Sequence, residues 1–280
     1  MRVAVTGADG KVGKAVVRQL LEQGYDVTAV TLQPLQHDLE SVINKVADMT
    51  QYHEVMQAFE GCQAVIHLAA IPVPMKNEDS RVFHNNVLGV YNALLAAGQL
   101  GMRKAAIASS DCALGNTFNY TKSIPLYFPL DEEHPATPDN SYGMSKLVGE
   151  QVAEGMARRF GMTIASLRIS EVLMPEAYDM DYFRKQLNDP ESSAIDNLWT
   201  YIDIRDCARA FRLAIEAEFK GHEVFHITAA NSKSVRQTEE LLAHYFPHAE
   251  LRCPLPGNAS VHDCSKAATM LGFVPEFKWE

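Results

Sequence analysis

The stretch RVAVTGADGKVGKAVVRQL, residues 2–20, decides the fold. It opens with a short apolar run typical of a buried strand, and then repeats apolar residues at intervals of three and four, as an amphipathic helix does. Gly7, Gly10 and Gly13 stand at the junction. Glycines permit the tight turn and close backbone approach that a pyrophosphate needs, and a helix N-terminus adds free N–H groups. The stretch therefore predicts a strand–turn–helix unit that binds a dinucleotide.

The same alternation continues along the chain. The apolar runs DVTAVT, QAVIHLAA, KAAIASS and TIASLRIS are separated by helical patterns that begin near residues 52, 84 and 141. Continuously apolar strands alternating with helices predict a parallel sheet covered on both faces. We expect an α/β fold with a doubly wound parallel sheet, the NAD(P)-binding Rossmann fold. Residues 1–169, completed by 199–228, would form it, and residues 170–198 and 229–280 a small, discontinuous substrate-binding lobe.

Composition excludes several classes of partner. The 280 residues are 47% hydrophobic and 21% charged, as in soluble globular proteins, and carry a formal net charge of -10. This charge disfavours nucleic acid and anionic membranes as partners, and no apolar run is long enough to predict a transmembrane helix. Five widely spaced cysteines without CxxC, and an N-terminus without a signal-peptide layout, favour reduced thiols and a cytoplasmic location. No histidine spacing predicts a metal site.

The stretch DNSYGMSKLVGE, residues 139–150, places Tyr142 and Lys146 four residues apart in a predicted helix. At that spacing two side chains lie on one helix face within about 6 Å of each other. An ammonium there favours the phenolate and lowers the pKa of the tyrosine from its usual ~10. Such a tyrosine can act as general base on a hydroxyl proton, or as general acid in the reverse direction. The pair therefore predicts a proton-transfer site.

In order and spacing, these motifs resemble the extended short-chain dehydrogenases/reductases, and more narrowly the NAD-dependent epimerase/dehydratase family. The resemblance covers almost the whole chain. It rests on the glycine spacing GxxGxxG, HLAA at 67–70, NNVLGVYN at 85–92, ASSDCALG at 108–115, the Tyr-x-x-x-Lys pair and SLRIS at 166–170.

The resemblance implies a catalytic group of Ser110, Tyr142 and Lys146. Alignment on Gly115 identifies Ser110 as the hydroxyl that orients the substrate oxygen against Tyr142, and Lys146 would also bind the nicotinamide ribose. The implied cofactor-binding residues are Gly7, Asp9, Gly10, Lys11, Val12, Gly13, Thr31, Asp48, Met49, Leu68, Ala69, Ala70, Asn86, Ala108, Tyr142, Lys146 and Ile169.

The choice between NAD and NADP stays open in the sequence, with a slight preference for NAD. In NAD-preferring members an acidic residue ends the second strand and binds the ribose hydroxyls. Thr31 occupies that position here, and no arginine replaces it to hold a 2′-phosphate.

The residues that follow the strand KAAIASS limit the reactions that the site could catalyse. Cys112 follows Asp111, so the acidic pair of the family's dehydratases is missing and dehydration is disfavoured. Glu171 replaces the family's asparagine, and a carboxylate facing the pocket would repel a nucleotide diphosphate. The short lobe indicates a small substrate and partly resembles the uronate-dehydrogenase-like members, with Arg184 the nearest candidate for a substrate carboxylate. The predicted substrate-binding residues are Ser110, Asp111, Glu171 and Arg184.

We expect a dehydrogenase or reductase that acts on a hydroxyl or carbonyl group of a sugar-like or other small polar molecule. The first alternative is a sugar or nucleotide-sugar epimerase with retained NAD. The second is a non-catalytic NAD(P)-sensing regulatory protein, which would have no use for an intact catalytic group. Because the family dimerises through helices equivalent to residues 86–100 and 141–159, the resemblance also implies a homodimer.

Overall fold

A seven-stranded parallel sheet runs through the computed structural model, which describes residues 1–35, 42–121, 123–191 and 195–279. In spatial order the strands are β10 (His222–Ile227), β7 (Thr163–Ile169), β5 (Lys104–Ser110), β4 (Ala64–His67), β1 (Arg2–Thr6), β2 (Asp26–Thr31) and β3 (Val42–Val46). The chain runs outward from β1 to β3, returns to β4 and then runs outward to β10. This reversal opens a crevice between β1 and β4 at the carboxyl ends of the strands, where doubly wound sheets bind ligands.

Helices cover both faces of the sheet. The helices on one face are α1 (Lys11–Glu22), α6 (Ile204–Glu216) and α8 (Ser265–Leu271), and those on the other are α2 (Tyr52–Phe59), α3 (Asp79–Gln99) and α4 (Ser141–Phe160). Side chains of a strand alternate between faces, so Val3 and Val5 pack in the first core and Ala4 in the second. The predicted doubly wound α/β fold is confirmed.

Helix α3 begins at Asp79, five residues before the predicted start at His84. The additional turn carries polar residues, which hide its periodicity in the sequence. Val82 is nevertheless buried and extends the buried stripe of Asn86, Gly89 and Ala93 by one turn.

A second group of short elements surrounds two smaller cores. These elements are β6 (Tyr127–Phe128), β8 (Val172–Leu173), α5 (Asp181–Asn188), β9 (Ile202–Asp203), α7 (Thr238–Tyr245) and β11 (Glu250–Leu251). Within the predicted lobe, residues 192–194 and 280 lie outside the described ranges. The C-terminal segment contributes both to a smaller core and to the core beneath the seven-stranded sheet. Trp279 packs near Phe183 of α5, whereas Ala267, Leu271 and Phe273 join the core beneath the sheet, because α8 packs on β10 and α6.

No helix in the described ranges is long and apolar enough to cross a membrane. All five cysteines carry free thiols, and Cys62, Cys112 and Cys207 are buried.

Candidate active site

The glycine turn between β1 and α1 is closed tightly by backbone contacts. Gly7 has φ +63°, which favours glycine, and a Cβ there would lie 2.9 Å from the amide nitrogen of Ala69. A Cβ at Gly13 would lie 2.1 Å from the carbonyl oxygen of Gly7. The first amide in the helical ladder is that of Lys14, bonded to the Gly10 oxygen at 3.0 Å. The preceding amides of α1 therefore stand outside the ladder at its positive dipole end, and the turn fits a pyrophosphate.

Other predicted cofactor residues surround this turn. Asp9 is exposed and Val12 is half-buried. The Lys11 ammonium donates to the carbonyl oxygen of Val172 in β8, so its side chain connects α1 with the segment that follows β7. The sequence alone suggests only that Lys11 approaches the cofactor.

The loop after β4, residues 68–70, is held against the turn by two buried side chains. The Thr6 hydroxyl accepts from the amides of Leu68 and Ala69 at 3.1 and 3.2 Å. The Asn86 amide exchanges two hydrogen bonds with the backbone of Ile71, at 2.8 and 3.1 Å. Asn86 therefore positions this loop, which is an indirect role that the family motif does not reveal. Ala70 lies half-buried in the same loop.

Three of the implied cofactor-binding residues lie at the ends of β2 and β3: Thr31 ends β2, and Asp48 and Met49 follow β3. The Thr31 hydroxyl donates to the carbonyl oxygen of Gln33 at 2.6 Å. Asp48 accepts through Oδ1 from both the amide and the hydroxyl of Thr50 at 2.8 Å. Met49 is buried, and its carbonyl oxygen accepts from the side chain of Asn92 at 2.9 Å. The predicted residues thus lie at the carboxyl edge of the sheet.

Helix α4 is anchored so that Tyr142 meets the end of β5. Asn140 caps the helix by accepting from the amide of Gly143 at 2.8 Å. A Cβ at Gly143 would lie 2.6 Å from the carbonyl oxygen of Cys112, so the helix can approach the turn after Ser110 only because residue 143 is glycine. This requirement for Gly143 was not recognised from the sequence.

The structure brings Ser110, Tyr142 and Lys146 together. The Ser110 hydroxyl is close enough to the Tyr142 phenol to lower its pKa, and the Lys146 ammonium is 5.4 Å from the centre of the Tyr142 ring. Lys146 is buried and donates to the carbonyl oxygen of Ala108 at 2.7 Å. Ile169 ends β7 directly beside Ser110 in the register of the sheet. The group is arranged for proton exchange with a hydroxyl or carbonyl oxygen placed between Ser110 and Tyr142.

Protein groups alone raise the pKa of Tyr142, opposite to the direction expected from the sequence. Burial of the phenol is the largest cause of the increase. Electrostatic repulsion from Cys112 and Asp111 adds to it, whereas the Ser110 hydroxyl lowers the pKa. Burial also lowers the pKa of Lys146 to about 8. A spacing of four residues predicts proximity, but it cannot predict burial, which disfavours both charged forms.

Asp111 directly follows β5, and Glu171 lies two residues beyond the end of β7. Asp111 accepts from the Ser110 hydroxyl at 3.0 Å, and burial raises its pKa to about 6. Glu171 forms an ion pair with Lys233, whose side chain is fully buried, and accepts from the amide of Asn197 at 3.1 Å. The sequence argument that Glu171 repels a diphosphate omitted this pairing, because nothing in the sequence relates Lys233 to Glu171.

Arg184 is not brought to the catalytic group. Its side chain is 62% exposed on α5 and lies 3.7 Å from the carboxylate of Asp179. Among the described residues, no contact joins it to Ser110, Tyr142 or Glu171. The local sequence pattern can predict that Arg184 lies in a helix, but it cannot predict the orientation of that helix in the folded protein.

A further buried ion pair, behind β5, was not predicted from the sequence. Arg168 on β7 forms a two-pronged ion pair with Glu150 on α4, at 2.9 and 2.8 Å, and Glu150 also accepts from the Ser109 hydroxyl at 2.6 Å. The LRIS motif identifies Arg168 as part of the family pattern without revealing this contact, which fixes α4 against β5 and β7.

Three dehydrogenases illustrate what this chain is similar to in sequence or in fold. L-arabinose 1-dehydrogenase (NAD(P)(+)) of Haloferax volcanii is 32% identical over 77% of this chain and 83% of its own length. NAD-dependent glucose-6-phosphate dehydrogenase of the same organism is 30% identical over 82% and 86%. The solved structure of a mutated uronate dehydrogenase shares the fold with a TM-score of 0.72 and 24% identity, over 99% of this chain and 82% of that one.

The match to a family model extends over the strands of the sheet and the motifs at its carboxyl edge. Residues 3–228 match the model of the NAD dependent epimerase/dehydratase family. This range includes the glycine turn, Ser110, the Tyr142–Lys146 pair and the strands from β1 to β10. The chain therefore belongs to the NAD-dependent epimerase/dehydratase family.

Proposed function

We propose that this protein is an NAD(P)-dependent dehydrogenase or reductase that acts on a hydroxyl or carbonyl group of a sugar-like or other small polar substrate. The observation that carries the proposal is the Ser110, Tyr142 and Lys146 group at the carboxyl edge of the sheet, next to a turn that fits a pyrophosphate. Membership of an NAD-dependent family and 32% identity to an arabinose dehydrogenase support it.

The role proposed for each residue follows from its position at the carboxyl edge of the sheet. The amides at the start of α1 would hold the pyrophosphate, the loop held by Asn86 would lie against the cofactor, and Asp48 would bind the adenosine end. The nicotinamide, when bound, would supply hydride-transfer chemistry at the substrate carbon. The Ser110 hydroxyl, which donates its one hydrogen to Asp111 in the free protein, would turn to donate to the substrate oxygen and orient it. Tyr142 takes the hydroxyl proton as the carbon–oxygen bond becomes a carbonyl, and Lys146 stabilises the phenolate.

The direct test is the near-ultraviolet absorbance of reduced nicotinamide. The purified protein is mixed with NAD or NADP and a panel of aldoses, uronates and small alcohols, and the rate of reduction is measured. Net reduction is expected with at least one substrate, and comparison of the two cofactors decides the preference. Cofactor binding without net reduction would contradict the proposal and favour an epimerase that returns its hydride, or a sensor.

Gly13→Ala is expected to weaken NAD(P) binding by at least about tenfold. The added Cβ meets the Gly7 oxygen at 2.1 Å, so the turn must open and its amides leave the pyrophosphate site. Calorimetric titration with the cofactor measures the effect. Gly155→Ala is the matched control: it meets nothing within 4 Å, and alanine favours a helix by about 1 kcal/mol over glycine. Equal cofactor affinity in the two variants would contradict the role of the turn.

We further propose a cytoplasmic homodimer formed through α3 and α4. Phe83 and Tyr91, eight residues apart on one face of α3, are 37% and 39% exposed, and Met144 on α4 is 38% exposed. Large apolar side chains on two adjoining helices suit a four-helix contact. The free thiols are consistent with a reducing compartment.

The dimer predicts that Tyr91→Arg shifts the protein to a monomer. A buried unpaired guanidinium at the contact disfavours association. Light scattering after size-exclusion chromatography measures the mass against that of the 31.1 kDa chain. Tyr120→Arg, at a side chain 75% exposed outside both helices, is the control. A wild-type protein that is monomeric at micromolar concentration would contradict the dimer.

A further inference from the structure

We infer that Asp111 and Glu171, the latter paired with Lys233, form the specificity wall of the substrate pocket and select an uncharged sugar over a uronate or sugar phosphate. The inference rests on the proposed function, since it names the substrate class for the same catalytic group. Three features support it: the register of the sheet, the pairing of Lys233 and the acceptor atoms of Glu171 and Asn197.

The register places the two carboxylates on neighbouring strand ends. Ser110 of β5 lies opposite Ile169 of β7. Asp111 follows Ser110 by one residue and Glu171 follows Ile169 by two, so both leave the same edge of the sheet. Asp111 is bonded to the Ser110 hydroxyl at 3.0 Å, which connects this wall directly to the catalytic group.

Lys233 is the buried cation that pairs with Glu171. Its side chain is 0% exposed and its ammonium donates to Oε2 of Glu171. Its charge also favours the ionised form of Asp111, so it lies within electrostatic range of both carboxylates. Its backbone amide donates to the Trp199 carbonyl oxygen at 2.6 Å, which fixes the chain at this point. Lys233 is therefore a positioning residue for Glu171, because its charge is already matched by that carboxylate.

Glu171 keeps acceptor capacity for a ligand. Its side chain is 37% exposed, whereas that of Lys233 is fully buried, so the pair presents its carboxylate toward the outside. Lys233 and Asn197 both bind Oε2, which leaves Oε1 available within the described part of the chain. In the same part of the chain, Oδ1 of Asn197 is buried without a hydrogen-bond partner. Carboxylate and amide oxygens accept hydrogen bonds from hydroxyl groups, which sugars supply.

The charges of the wall disfavour an anion. The Lys233 ammonium is already paired with Glu171, so a substrate carboxylate or phosphate that approached it would meet the negative charge of that carboxylate. Like charges in one site repel each other, and this repulsion disfavours an anionic substrate. A hydroxyl group can instead donate to Glu171 while the pair stays intact.

Three sugars with one ring stereochemistry test the inference: L-arabinose, D-galactose and D-galacturonate differ only in the substituent at C5. Wild-type enzyme is expected to show kcat/KM at least about tenfold higher for arabinose or galactose than for galacturonate, and D-glucose against D-glucose 6-phosphate repeats the comparison. Glu171→Gln is expected to lower kcat/KM for the uncharged sugar about 10- to 100-fold through KM, with cofactor affinity unchanged. Glu176→Gln, at an exposed carboxylate five residues away, is the control and is expected to change neither.

The outcomes separate this inference from the proposed function. Turnover that depends on Tyr142 but favours galacturonate or the phosphate would overturn the inference and leave the proposed function standing. Unchanged KM in Glu171→Gln would also overturn it. Absence of Tyr142-dependent turnover with all five sugars and both cofactors would count against the proposed function itself. The wild-type comparison requires no variant, so it decides the substrate class even where Glu171→Gln fails to fold.

Discussion

Tyr142→Phe is expected to lower kcat by about 10²- to 10⁴-fold, the range that a positioned general acid or base contributes. The change removes one oxygen atom and leaves the ring on α4, so the cofactor site keeps its shape. The affinity for NAD(P) is expected to stay within about threefold of wild type, since the phenol oxygen adds at most one hydrogen bond to the cofactor. Steady-state rates and calorimetric titration measure the two effects separately.

The matched control is Tyr25→Phe. Tyr25 donates to Glu216 at 2.6 Å and precedes β2, at the amino edge of the sheet, opposite the catalytic group. Its removal costs about one hydrogen bond, roughly 1 kcal/mol of stability, and leaves kcat unchanged. A Tyr142→Phe enzyme that keeps a third or more of wild-type kcat would exclude Tyr142 as the proton-transfer group.

The pH dependence of the reaction rate is a second test of the role of Tyr142. Burial raises the pKa of the phenol, and oxidation requires its ionised form. The oxidation rate is therefore expected to increase with pH on the alkaline side, and the reduction rate to decrease there. This dependence should be absent from the residual activity of Tyr142→Phe.

Glu150→Gln is expected to lower the free energy of unfolding by about 3–5 kcal/mol and the melting temperature by roughly 6–10 °C. Glu150 and Arg168 are 2% and 5% exposed. Removal of the carboxylate charge leaves the guanidinium buried without a counter-ion, and among the described residues its Nη1 already has no hydrogen-bond partner. Thermal and urea unfolding, followed by two independent probes, measure the loss.

Helix α4 supplies its own control in Glu154→Gln. Glu154 pairs with Arg158 on the same helix, but the two side chains are 46% and 72% exposed. Exposed pairs of this spacing contribute about 0.3–0.5 kcal/mol, so the control is expected to unfold almost as wild type does. The double variant Glu150→Leu, Arg168→Met should recover part of the loss, because it leaves no unpaired charge. Equal stability of Glu150→Gln and Glu154→Gln would contradict the argument.

Local sequence determined the elements whose signals lie within a few residues. The parallel sheet follows from continuously apolar strands alternating with helices, and the turn after β1 follows from glycine spacing. The proximity of Tyr142 and Lys146 follows from helical geometry alone. These features depend on backbone conformation and hydrophobic period, both of which are properties of neighbouring residues, so the fold and most of the candidate site could be predicted.

Only the tertiary structure decided which charges meet and which are buried. Lys233 lies 62 residues from Glu171, and Arg168 lies 18 residues from Glu150, with no local pattern to relate them. Arg184 was predicted at the site and lies exposed instead, because the direction of α5 depends on how Phe183 packs. The pKa of Tyr142 shifts opposite to the expected direction for the same reason. Burial and long-range pairing are set by the packing of distant segments, and they determine whether a charge can persist, whereas the sequence determines only which charges are present.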